Sequence, residues 1–128
     1  MKIKLKPKAF EIDLVIYPYS IFVCFLDLKK LIDTMSEYKY SNPSVEEMSG
    51  ILSRLKDGSF VGRCIQCENG NIILYFPYRH TKVETLSHEA FHATHMIMDN
   101  IGLKLTFESD EAFCYLNGYI NQKIFEQI

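Results

Sequence analysis

The sequence predicts an α+β protein: a small antiparallel or mixed sheet, a histidine-bearing helix, and one more helix after it. Three observations lead there. Runs rich in β-branched and aromatic residues fall at 9–28 and 60–78. Between 81 and 127 the apolar residues change to helical spacing. Three of the four histidines, 88, 92 and 95, fall inside one of those helical stretches, TLSHEAFHATHMIMDNIG. At 128 residues the chain reads as a single domain over 1–128.

The elements follow in order. AFEIDLVIYPYSIFVCFLDL breaks at Tyr17-Pro18-Tyr19-Ser20, predicting strands over 10–17 and 21–26 joined by a tight turn. Leu28, Leu31, Ile32 and Met35 have helical spacing, so 28–38 reads as a helix. Ser44 with Glu47 is a capping-box pattern that opens a helix over 44–56. FVGRCIQCENGNIILYFPY holds two strand-like runs around Asn69-Gly70, the strongest short hairpin signal. Strand 71–76 of that hairpin is expected to border the functional cleft. Thr81 with Glu84 is a second capping box, starting a helix that runs to Asn100 with Asn100 or Gly102 as its left-handed cap. The last helix, 108–127, carries Phe113, Leu116, Ile120 and Ile124 as its apolar stripe. The two last helices are expected to pack together.

Composition excludes several function classes. A net charge of −2 argues against a nucleic-acid footprint, which needs a basic stripe. Lys2, Lys4, Lys6 and Lys8 alternate with other residues and read as one solvated strand face or a lysine-protected edge. No apolar run reaches the ~18 residues of a membrane span. No signal peptide is visible, so the expected location is cytoplasmic, with Cys24, Cys64, Cys67 and Cys114 reduced.

His88-Glu89-Ala90-Phe91-His92 is H-E-x-x-H on a predicted helix. Residues four apart share a helix face, so both imidazoles can bind one Zn2+. Glu89 lies about 100° round from His88, placed to take a proton from a zinc-bound water instead of ligating the metal. A third ligand is expected at Glu111, with eighteen residues between it and His92, in the first turn of the next helix. An antiparallel helix pair would fold that carboxylate back on the histidines.

This arrangement resembles the gluzincin group of zinc metallopeptidases, whose third ligand is a glutamate on the following helix. More closely, HEAFHATHMIMDNIG and DEAFCYLNGYI are similar to small phage or mobile-element zincin-like proteins of unassigned activity. The resemblance covers 80–120 well, 60–78 loosely and 1–58 hardly at all. It implies a minimal zincin-like domain, a metal held by His88, His92 and Glu111, Glu89 as general base, and a sheet edge that aligns a peptide or protein substrate.

Other residues are candidates for lesser roles. Tyr115, one turn after Glu111, could donate a hydrogen bond to a tetrahedral intermediate, or be core. His95 could be a further ligand or a packed neighbour. His80 could reach the cleft or lie in water. Asp110 could orient a ligand histidine or complement the helix N-terminus. Cys64 and Cys67 form C-x-x-C, but in a strand they point to opposite faces.

The expected function is therefore zinc-dependent hydrolysis, most naturally of a peptide. The alternative is a phage-like accessory binding protein that is non-catalytic or acts on a regulator protein.

Overall fold

The computed structural model describes residues 1–41, 49–50, 53–54 and 61–128. Its strands are β1 (Lys2–Lys4), β2 (Lys8–Asp13), β3 (Ser20–Phe25), β4 (Arg63–Gln66), β5 (Ile72–Phe76) and β6 (His80–Lys82). The helices whose bounds are described are α1 (Leu28–Met35), α2 (Val83–Asn100) and α3 (Asp110–Phe125), with a 3₁₀ turn at Tyr38–Tyr40; residues 49–50 and 53–54 are also helical. The architecture is α+β.

A four-stranded mixed sheet runs β2-β3-β5-β4, with β3 and β5 parallel and both outer pairs antiparallel. The central strands, SIFVCF and IILYF, have no polar alternation because both faces are covered. Helices α2 and α3 cover one face, where Ile21, Val23, Leu74 and Phe76 meet Leu86, Ala90, Ile97, Phe113 and Ile120. On the other face α1 and Tyr40 close over Phe22, Cys24, Ile65, Cys67, Ile73 and Tyr75. A separate two-stranded sheet pairs β1 with β6.

Several expectations shift. The first hairpin pairs Lys8–Asp13 with Ser20–Phe25, so the strand expected over 10–17 ends at Asp13. Val15 sits at φ 62, where the Asp13 side chain accepts its N–H. That left-handed residue turns the chain before the Tyr-Pro-Tyr break. The helix expected over 28–38 stops at Met35 and passes into the 3₁₀ turn. The helix expected over 44–56, with its Ser44–Glu47 box, falls on residues most of which lie outside the described ones.

The 81/84 capping box does not form. Thr81 is a strand residue paired with Ile3, and its hydroxyl donates to the Tyr78 carbonyl; Lys82 is the N-cap, without a side-chain cap. The other end of α2 is as expected in kind. Gly102 takes φ +79, its N–H donates to the Asp99 carbonyl and that of Leu103 to Met98, a Schellman closure. Helix α3 buries Phe113, Leu116, Ile120 and Ile124 as its stripe and packs along α2. Among the described residues no helix is long and apolar enough to cross a membrane.

Candidate functional site

Helix α2 lies on the sheet with Leu86, Ala90, Ala93 and Ile97 inward. At 100° per residue, His88 and His92 then fall on the opposite, solvent side. Their Nε2 atoms stand 3.1 Å apart, the rings edge to face at 4.7 Å between centroids. Two imidazoles bound to one zinc at ~2.0–2.1 Å with a tetrahedral angle would hold their nitrogens roughly 3.3 Å apart. The pair therefore has the bite of a two-histidine metal half-site. Without a metal, one ring can donate to the other in a suitable tautomer.

Both imidazoles line an open cleft of about 740 Å³ between α2 and the start of β4. Gly62, Arg63, Cys64 and Gln66 form the strand side, and Glu89 and Met96 join the histidines on the helix side. Glu89 is only 8% exposed, although it borders this cleft. The reason is Gly62. A Cβ there would stand 3.0 Å from Glu89 Cγ, 3.1 Å from Thr85 Cγ2 and 3.3 Å from a Phe76 ring carbon. The bare glycine lets the strand close over the glutamate. No hydrogen bond or ion pair engages the Glu89 carboxylate among the described residues.

Cys64 faces the same cleft, its thiol 3.7 Å from Met96 Sδ. Burial first, and the Glu89 carboxylate second, push that thiol well above its ordinary pKa, so it is protonated at neutral pH. Cys67, just past the end of β4, packs in the core under α1 and yet also lines this cleft with Glu68, so the expected divergence of two cysteines within one strand does not describe the pair; none of the four cysteines is in a disulfide.

The other candidates are elsewhere. Tyr115 is 76% exposed and lines a second groove of about 250 Å³ with Leu14, Val15, Ile16, Tyr17 and Tyr119, away from the histidines. His95 and Asp110 are exposed and outside the cleft. His80 is an exposed residue of β6 beside Lys2 and Lys82. Strand 71–76 does not border the cleft. It is β5, buried along its whole length at the centre of the sheet, and its hairpin partner β4 is the bordering edge.

Glu111 is exposed in the first turn of α3. The packing of α2 and α3 explains why it stays apart. Ser87 bonds Asn121 and Thr94 bonds Asn117, so the helices run antiparallel. Ser87 and Thr94 point roughly 130° round α2 from the midline of the two imidazoles. Carried six residues back from Asn117, Glu111 lies beside the last turns of α2, on the order of 10 Å along the axis beyond His92. Arg63, Gln66 and Gly62 were not singled out by sequence. Met96 was not singled out either, although 88, 92 and 96 repeat at four-residue spacing along one helix face, a signal that could have found it.

Among the described residues no group of three or more His, Cys, Asp and Glu side chains stands together to hold a metal. No protein family, curated protein or solved structure matches the chain. The resemblance to gluzincin-type metallopeptidases is thereby corrected: its ligand triad, His88, His92 and Glu111, is not assembled.

Proposed function

We propose that the chain is a zinc-dependent hydrolase acting on an acyl bond, most naturally a peptide bond, in the cleft between β4 and α2. The observation that carries this is the His88–His92 pair, with Nε2 atoms 3.1 Å apart, beside the buried Glu89. The pair's bite fits one zinc ion, and Glu111 is not among its holders. Zinc bound there would supply an activated water and polarise a carbonyl. Glu89 would be the general base and acid of the reaction, taking a proton from a water in the cleft and passing it to the leaving group. Gly62 lets the chain pack against the Glu89 methylene, and the outer edge of β4, unpaired among the described residues, offers backbone groups to an extended substrate. Arg63 also lines this wall.

The test is metal content and hydrolysis measured together on protein purified without a histidine tag. Near-stoichiometric zinc, lost in His88→Ala and His92→Ala, is expected. Equal zinc in those variants would overturn the reading. A second reading, a non-catalytic accessory binding protein, draws support from the two protein donors found where a catalytic zinc usually has three. Metal binding with no turnover on any unfolded protein substrate would select it.

A further inference from the structure

The two-stranded sheet gathers the lysines that the sequence only alternates. Its register sets Lys2 opposite Lys82, Ile3 opposite Thr81 and Lys4 opposite His80. Thr81 is buried and Ile3 packs on the core, so Lys2, Lys4, His80 and Lys82 share the outward face. Pairing continues through the Leu5 N–H to the Arg79 carbonyl, next to exposed Lys6 and Lys8. Residues 1–8 and 79–82 hold six of the fourteen Lys and Arg and none of the sixteen acids, leaving eight basic against sixteen acidic groups, a net −8, elsewhere. The one ion pair on this face among the described residues, Lys82 with Glu84 at 3.7 Å, is between largely exposed groups. Like charges placed directly opposite across strands destabilise a sheet. Lysines that only guard an edge have no need of that register.

We propose that this face binds an extended acidic polypeptide segment, as a strand added along the free edge of β1. Strand β1 pairs only with β6 among the described residues, so its other edge can take a partner backbone. In a strand, alternate side chains lie about 6.7 Å apart on one face. A peptide with Asp or Glu at every second position therefore repeats at the spacing of Lys2 and Lys4, giving opposite-charge cross-strand pairs. A nucleic acid would gain nothing from the strand edge and would meet the net −8 of the rest of the chain. Lys2, His80 and Lys82 line a depression of about 250 Å³ with Val61, Tyr78, Thr85 and the acidic Glu84, at one end of the face. The binding is independent of any metal at the histidines.

The experiment is fluorescence anisotropy of the whole chain with three labelled probes. These are a peptide alternating glutamate with valine or threonine, an isomer of the same composition with its glutamates in one block, and a single-stranded oligonucleotide. The alternating peptide should bind about tenfold or more tightly than its block isomer, and more weakly as salt rises. Lys2→Gln with Lys4→Gln, and separately Lys82→Gln, should weaken it about tenfold while leaving the thermal midpoint unchanged or raised, because repulsion is relieved. The His88→Ala protein should bind it as wild type does. Equal binding of the two isomers, tighter binding of the oligonucleotide, no binding of any probe, or indifference to the lysine changes would each overturn the proposal.

Discussion

Glu89 and Gly62 act as one unit, because the Glu89 methylene packs where a Cβ at residue 62 would stand. Glu89→Gln should retain zinc and fold but lose hydrolysis, since an amide has the carboxylate's shape and cannot accept the proton. Zinc analysis beside a turnover assay checks it, and loss of metal would show Glu89 to be a ligand. Gly62→Ala should push Glu89 aside and destabilise the fold by about 1–3 kcal/mol, the usual cost of overpacking, with turnover falling while zinc stays bound. A thermal melt and the same assay separate the two effects. A third prediction concerns acid. Glu11 accepts bonds from Lys39 at 2.9 Å and from the Tyr40 hydroxyl at 2.8 Å. These hold its pKa below the ordinary value, Lys39 contributing most. A depressed carboxylate stabilises the fold above its unfolded pKa and loses that contribution as pH falls through the folded one. Glu11→Gln should therefore flatten the stability-versus-pH curve on the acid side of the ordinary value of 4.5 and change little once the pH lies below the lowered, folded value. Denaturant melts across that range measure it.

At the level of elements, the Gly102 closure sets where α2 ends and so how the chain turns into α3. Its φ of +79 and the empty space around it mean that an added Cβ clashes with nothing but its own backbone. Gly102→Ala should then cost about 1–2 kcal/mol, the penalty of a left-handed L-residue, readable as a shift in denaturation midpoint. Residues with one dominant local preference were legible from sequence: Asn69-Gly70 at the hairpin, the apolar stripe of α3, the glycine after α2. Thr81 was not, because its local capping preference lost to a long-range one. Pairing with Ile3, seventy-eight positions away, satisfies its backbone better than a cap does. The cleft-bordering strand was misassigned for a related reason. A hairpin pattern places two strands side by side, but which of them is central depends on β3 joining from elsewhere in the chain.

For the whole molecule, the histidine cluster was legible because one helix carries it and helical spacing is local. Glu111 was misplaced because its position depends on the crossing of two helices, which the Asn117 and Asn121 contacts set and no spacing rule encodes. The parallel joining of β3 and β5 has a separate consequence, for the order in which the molecule assembles. Phe25 and Ile72 bracket forty-six residues, so the ladder from Ile21–Ile72 to Phe25–Phe76 forms only after a long loop has closed. Both flanking hairpins, β2–β3 and β4–β5, close over short loops and can form first. Their meeting is then the slow event, and Val23→Ala or Leu74→Ala, in the joint itself, should slow refolding more than equally destabilising changes in α3. Because closure entropy grows only with the logarithm of loop length, lengthening the connection at its exposed positions should cost only about 0.6 kcal/mol for each doubling. A chain built this way can vary between its two hairpins while the β4 edge and the helix that face each other across the cleft keep their register.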